Sequence, residues 1–276
     1  MLELPESYTL SLQSSPVLFH KEIRRVTVAA SPHKFAFYFG DPEQYPSLLE
    51  GRSFSAATAL GGMLELCAGP VRLLFGDGAS PRYLQPGEKT PAKHQLLLEF
   101  EDGSALVCTI QMYGGMWAFQ DGEKDDFYYC AAKEKPSPLS DRFDQEYFSS
   151  LLSSSKPALS AKAFLATEQR IPGLGNGCLQ DILFAAKINP RTKIQALSSQ
   201  ELDNLFQSVK QTLYDMCIHG GRDTEKDLFG QKGGYPTRLS KNTLALPCPV
   251  CGSSIVKQAY LGGAVYFCPT CQPVPC

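Results

Sequence analysis

No stretch of the 276-residue chain approaches the ~18–20 consecutive apolar residues that a membrane-spanning helix requires. A helical membrane protein is therefore not expected. A surplus of positive charge is missing too: 26 Lys and Arg stand against 28 Asp and Glu, for a net charge of −2. Phosphate neutralisation supplies most non-specific affinity for nucleic acid. Any such role must rest on a locally basic face and not on bulk charge. The opening residues Met1-Leu2-Glu3-Leu4-Pro5-Glu6-Ser7 carry acids where a secretory signal would carry Lys or Arg. Internal repeats and low-complexity tracts are absent. Six of the ten cysteines (Cys67, Cys108, Cys130, Cys178, Cys217, Cys276) occur singly, most of them in apolar runs. Reduced, buried thiols in an intracellular compartment are expected there, not disulfides.

Hydrophobic residues make up 43% of the chain, enough for ordinary packed cores. Residues 1–130 read mostly as strands. Ile23 to Ala30 ends at Ser31-Pro32, and Phe35 to Phe39 ends at Gly40-Asp41-Pro42. Gln95 to Phe100 and Ala105 to Met112 flank Asp102-Gly103, a hairpin signal. A helix after Pro5 carries Tyr8 and Leu12. Short strands separated by turns suggest a sandwich or barrel. Residues 131–145, with Pro136, Pro138 and several charges, read as a linker. From there the period becomes helical. A helix from about Asn176 to Ala186 is closed by Pro190, and another carries Leu202, Leu205, Phe206, Val209 and Leu213. Ser198 and Glu201 form its capping box, and Gly220-Gly221 its stop. Residues 222–243, rich in Gly and charge, read as a mobile loop.

The sharpest motif is Cys248-Pro-Val-Cys251, sixteen residues, then Cys268-Pro-Thr-Cys271. A hairpin between two such pairs brings four thiolates to the corners of a tetrahedron, the geometry Zn²⁺ prefers. Four sulfurs leave no open position for water, so one structural zinc is expected, supplying folding free energy to a finger too small to fold alone. Two redox pairs are the alternative. The second motif is Ile171-Pro172-Gly173-Leu174-Gly175-Asn176, directly before a helix. Free N–H groups and the positive dipole end of that helix can receive a phosphate, with the Asn176 side chain as a further donor. From these residues alone an ordinary helix connection with glycine at its turn is the favoured reading, since short Gly-rich loops are common.

Gly173-Leu174-Gly175-Asn176 before a helix, the C-terminal four-cysteine pattern and the opening Glu3-Leu4-Pro5-Glu6 together resemble the formamidopyrimidine-DNA glycosylase and endonuclease VIII family. The resemblance runs nearly end to end. It is firmest over 136–190, which includes Lys162, and over 244–272. It implies an α+β multidomain fold: an N-terminal β-sandwich over 1–130, the linker, a helical helix-two-turn-helix domain over 146–243, and a C-terminal β-hairpin zinc finger over 244–276. It also implies damaged double-stranded DNA as partner, a monomer, no small-molecule cofactor, and a cytoplasmic, nucleoid-associated setting. By resemblance Lys162, Gly175 and Asn176 contact the DNA backbone, Glu3 is the catalytic glutamate with Glu6 its companion, and the loop at 222–238 closes over an extruded base. From the residues alone, Glu3 and Glu6 are also ordinary first-turn acids favoured by a helix dipole.

The chemistry implied is base excision. A damaged base is flipped out, an amine attacks the sugar C1′, and the resulting Schiff base permits strand cleavage. In the family the amine is an N-terminal proline exposed by removal of the initiator methionine; here Leu2 stands in its place, leaving the α-amine of Met1 as the remaining candidate. The family's sandwich lysine falls at about Gly62 and the finger's phosphate-holding arginine at about Gly263. The Arg/Phe pair that fills the gap left by the base falls in Tyr113-Gly114-Gly115-Met116-Trp117, with Met116 the remaining apolar wedge, and Asp77 stands at a further wedge position. Two functions are compatible with this pattern: a DNA glycosylase of altered nucleophile or substrate range, or a non-catalytic reader of damaged or distorted DNA. A zinc protein with a protein partner is a third, which leaves the glycine loop unexplained.

Overall fold

The computed structural model describes residues 1–273; Cys276, read above as a free thiol, lies outside the described residues. Helix α1 (Leu4–Leu18) opens the chain. Pro5 stands in its first turn, where its fixed φ suits a helix and its missing N–H costs nothing. The helix buries Leu4, Leu10 and Leu18, whereas Leu12 is exposed. Strands β1 (Ile23–Val28) and β2 (Ala36–Phe37) and the short helix α2 (Tyr45–Leu49) follow. Then come β3 (Ala56–Leu60), β4 (Met63–Ala68), β5 (Val71–Leu84), β6 (Leu96–Phe100) and β7 (Ala105–Gln120). These form one path of hydrogen-bonded strands, β1-β6-β7-β5-β4-β3, with β2 added to β7.

Two long strands, β5 and β7, run through both halves of this sheet. Their register slips between Asp77 and Ala79, opposite Gly114 and Ile110. A bulge of this kind bends a ladder and raises its twist. A Cβ on Gly78 would stand 2.3 Å from the Tyr113 carbonyl oxygen, so the crossing closes only around glycine. The bend lets Leu66, Leu73, Phe75, Phe100 and Leu106 share one core with Leu10 and Leu18 of α1. Strand β7 continues past Met112, where the apolar run ends, because Gly114 and Gly115 pair with Asp77 and Gly76. The Trp117 indole covers Gly76 and Gly115: a Cβ at 76 or 115 would lie 2.8 or 1.8 Å from its ring. Met116, expected as a wedge, is fully buried against the sandwich core, because strand alternation turns it inward. The exposed apolar side chains of this run are Met112, at 71%, and Tyr113.

The segment expected as a linker begins inside helix α3 (Phe127–Glu134), capped by the Asp126 carboxylate accepting from the N–H groups of Tyr128 and Tyr129. Helices α4 (Gln145–Ser153), α5 (Ala161–Ala166), α6 (Asn176–Ala185) and α7 (Ser199–Ile218) build a second core. Phe143, Phe148, Phe164 and Phe206 interlock there, with Phe143 and Phe206 stacked 13° from parallel. Ser198 and Glu201 cap α7 reciprocally, and Gly220 and Gly221 end it at φ 72° and 90°. The strands β8 (Val256–Tyr260) and β9 (Gly263–Phe267) form a hairpin packed through Ile255 and Tyr266 on Phe184.

Residues 222–239 depart from the mobile loop expected. Arg222, Leu228, Tyr235 and Leu239 are all buried. Leu228 enters the sandwich core, its carbonyl accepts the Tyr83 N–H at 2.7 Å, and Asp227 accepts from the Gln13 amide. Gly and charge gave the segment the composition of a free loop, but a few inward-facing side chains make it a strap from the helical unit to the sandwich.

Among the described residues no helix is long and apolar enough to cross a membrane. None of the nine described cysteines is in a disulfide. Burial raises the Cys108 and Cys217 thiols, Cys217 to about 12, which leaves both unreactive.

Candidate active site and nucleic-acid face

Glu3 stands at the N-cap of α1, and its side chain crosses to the start of α6. Its carboxylate accepts the N–H groups of Gly175, Gly177 and Cys178 at 3.2, 2.8 and 2.8 Å. The positive end of α6, read from the sequence as a phosphate receiver, is thus filled by a carboxylate of the same chain. The glycines around Asn176 follow from this. A Cβ at 175 would stand 2.6 Å from the Glu3 carboxyl carbon, and one at 177 would stand 2.9 Å from its Oε1. Glu6, one turn on, accepts the Glu3 N–H at 3.1 Å. Both acids are nearly inaccessible, at 4% and 3%.

Arg222, which the sequence reading did not single out, completes the cluster. It donates from Nε and Nη2 to the two Glu6 oxygens at 2.9 and 2.7 Å, and its Nη1 lies 3.5 Å from Glu3 Oε1. Its only sequence signal is an arginine directly after a helix-ending Gly-Gly. Burial pushes the Glu3 carboxyl upward, but Arg222 and the hydrogen bonds from Cys178 and Gly177 more than reverse this, leaving it below its ordinary value of 4.5.

A cavity of about 520 Å³ opens beside this carboxylate, with Met1, Asp77, Tyr113 and Trp117 in its wall. The Met1 nitrogen lies 2.5 Å from Glu225 Oε2 on the strap. Leu2 is buried, its N–H donating to the Asp77 carbonyl at 2.6 Å. Gly62 lies against it: a Cβ there would stand 3.0 Å from the Leu2 carbonyl oxygen. Lys124 enters the same cavity, its ammonium 4.7 Å from the Trp117 ring centroid and 2.6 Å from Asp126.

Lys162 and Asn176 converge on the hairpin tip. Lys162 Nζ donates to the Tyr260 carbonyl at 2.5 Å and Asn176 Nδ2 to the Ala264 carbonyl at 2.9 Å. A Cβ on Gly263 would lie 3.5 Å from both nitrogens, so a side chain at 263 would emerge between them. Leu261 and Gly262 have φ of 49° and 74°, the two-residue turn with positive φ at both positions that matches strand twist. The Arg191 guanidinium stacks 4.4 Å from the Tyr260 ring centroid, adding a second cation to this face. Lys162 is a buried residue, and burial lowers its ammonium.

Cys248, Cys251, Cys268 and Cys271 place their sulfurs within 4.8 Å of one another. The Cys248–Cys271 and Cys251–Cys268 sulfur pairs are 3.8 and 3.4 Å apart. A tetrahedron with metal–sulfur arms of ~2.3 Å has edges of roughly 3.8 Å, so the four residues fit a closed tetrathiolate site.

Comparison with known proteins agrees with this layout. Residues 135–227 match the formamidopyrimidine-DNA glycosylase H2TH domain. The formamidopyrimidine-DNA glycosylase of Legionella pneumophila strain Philadelphia 1 is 30% identical over 281 residues, covering 99% of each chain. That of Geotalea uraniireducens is 30% identical over 282 residues, covering 99% of this chain and all of its own. Among solved structures, the MutM (Fpg) protein of Thermus thermophilus superposes with a TM-score of 0.79 at 24% identity over 98% of both chains. Lactococcus lactis Fpg, in complex with DNA containing an abasic site, superposes at 0.83 with 21% identity over 99% of this chain and 100% of its own. The two structural likenesses carry the fold; the end-to-end identity with the Legionella and Geotalea proteins carries the descent, and by it the chain belongs to the formamidopyrimidine-DNA glycosylase family.

Proposed function

We propose that the protein binds damaged double-stranded DNA and releases a damaged base, with Glu3 as the working carboxylate. The observation that carries this reading is the placement of Glu3: an anion held by three backbone N–H groups and a guanidinium, at the wall of a cavity where sandwich and helical unit meet. As the C1′–N bond breaks, positive charge builds on the sugar, and a preorganised anion facing it lowers the barrier. Glu6 holds Arg222 and, through it, Glu3. Lys162 and Asn176, beside Gly175 whose N–H is held by Glu3, make up the face that meets the DNA backbone, and Zn²⁺ on the four cysteines fixes the hairpin against them. The metal supplies folding free energy only, since four sulfurs exclude a bound water. In this reading the sandwich spans residues to 130, the helical unit those from 146 and the finger those from 244.

A second reading, a DNA-damage reader without chemistry, is favoured by one specific pattern: Leu2, Gly62 and Gly263 stand where the family resemblance places a nucleophile and two cations. A panel of duplexes carrying oxidised bases or an abasic site, treated with borohydride, separates the two. Base release with a trapped adduct identifies an amine nucleophile; release without one identifies water. Tight binding with neither, unchanged in Glu3→Gln, overturns the enzyme reading.

A further inference from the structure

Arg222 reaches the site from the strap, directly after Gly221. Its side chain is 3% exposed, between carboxylates that are 5% and 3% exposed. The Glu6 contact is bidentate, and Nη2 also lies 3.3 Å from the Met1 carbonyl. Gly177 makes the room: a Cβ there would stand 1.5 Å from Nη1. Two buried carboxylates thus share one guanidinium. The charge left over is met by the three N–H groups at the start of α6, all of them on Glu3. Without Arg222, Glu3 and Glu6 would be two adjacent anions shut off from water, and one would take up a proton.

The other titratable groups facing Glu3 do not set its charge. They are Glu6 from α1, Cys178 from α6, Asp77 of β5 in the same cavity wall and, at longer range, Tyr113 from β7. Glu6 spends both carboxylate oxygens on Arg222 and one of them also on the Glu3 N–H. Burial raises both the Cys178 thiol and the Tyr113 phenol, which keeps them neutral. Of the cations around the cavity, Lys124 is paired with Asp126 and the Met1 ammonium with Glu225, whereas Arg222, carried in by the strap, is the one set against Glu3.

We propose that Arg222 is a positioning residue that keeps Glu3 an anion at the cavity wall, so that Glu3 meets the reacting sugar as a carboxylate and never as a proton donor. The catalytic half of this statement rests on the base-release reading; the ionisation half does not. In the step it implies, the C1′–N bond breaks and its electron pair leaves with the base. Positive charge spreads over C1′ and the ring oxygen, facing Glu3. Water then bonds to C1′, and its proton reaches the departed base through solvent.

The test is a ¹³C NMR titration of the full-length zinc-loaded protein labelled at the glutamate side-chain carboxyls, with Glu3 assigned by its loss in Glu3→Gln. In the wild type Glu3 titrates below the ordinary carboxylate range. In Arg222→Met it moves up by at least one unit, a tenfold change in its ionisation equilibrium, and in Arg222→Lys it stays low. If Arg222→Met does not fold, Glu6→Gln/Arg222→Met, which leaves no unpaired Glu6 behind, is compared with Glu6→Gln alone, and Glu3 must again titrate a unit higher in the double variant. Equal titration in either comparison overturns the proposal. The acid limb of the base-release profile is read in parallel. It moves to higher pH in Arg222→Met and is restored in Arg222→Lys; an unmoved limb overturns the catalytic half. A protein inert on every lesion still gives the titration, so failure of the base-release reading is distinguishable from failure of the clamp.

Discussion

Glycines 175 and 177 mark a buried charge cluster more sharply than the charges do. Neither has a positive φ, yet a side chain at either would collide with the Glu3 carboxylate or the Arg222 guanidinium. The same carboxylate gives a pH dependence whose sign can be worked out. Glu3 titrates below its ordinary value in the folded protein, so its contribution to stability is complete above about 4.5 and is lost as pH falls through the lowered value. Glu3→Gln replaces an anion accepting three N–H groups with a neutral amide. In urea titrations it should unfold more easily at pH 7 by roughly 1.5–3 kcal/mol, the scale of a hydrogen bond to a charged group. The difference from wild type should close as pH falls below the Glu3 titration; a gap constant down to low pH would mean that Glu3 is not held as an anion. At this scale motif and resemblance singled out Glu3, Asn176 and Lys162 as candidates. The sequence hid Arg222, because a cation paired across 216 residues leaves no local pattern. It misplaced Met116, because the run Tyr113-Gly-Gly-Met-Trp does not reveal which face of a bulged strand each residue takes.

Among elements, the α7 capping box, the Gly-Gly stop and the start of α6 were legible because their signals are local and chemical. The length of β7 was not, since glycines at 114 and 115 look like a turn until they are seen paired with Asp77 and Gly76, with Trp117 over Gly115. The strap was misread for the reverse reason: its composition is loop-like, and its order comes from Leu228 and Tyr235 finding cores elsewhere. The finger was the most legible element of all, because two C-x-x-C pairs have few uses at this spacing. It also carries a direct prediction. Cys251→Ser should lower zinc content and DNA affinity together, read by metal analysis and filter binding on the same preparation. Affinity retained after complete zinc loss would remove the hairpin from the DNA face. The coupling is expected because β9 supplies the Ala264 carbonyl that holds Asn176 in place, while its neighbour strand supplies the Tyr260 carbonyl that holds Lys162.

For the molecule as a whole, sandwich, helical unit and finger meet around two charge arrangements. One is an acidic cluster closed by an arginine at the cavity; the other is the cationic tip formed by Lys162 and Arg191 on Tyr260. A chain of net charge −2 thus keeps its acidic cluster and its cationic tip apart. Composition alone gave the balance of charge but not its placement, which only the packing of the three units fixes. The central claim, that the Glu3 carboxylate does chemistry and does not merely cap a helix, is tested most directly by single-turnover base release. The measurement uses the best-bound lesion duplex from the panel, with wild type and with folded Glu3→Gln under saturating protein. The account predicts comparable duplex affinity and a release rate lower by at least ~10², the scale on which a positioned acid or base acts. Equal rates would contradict it.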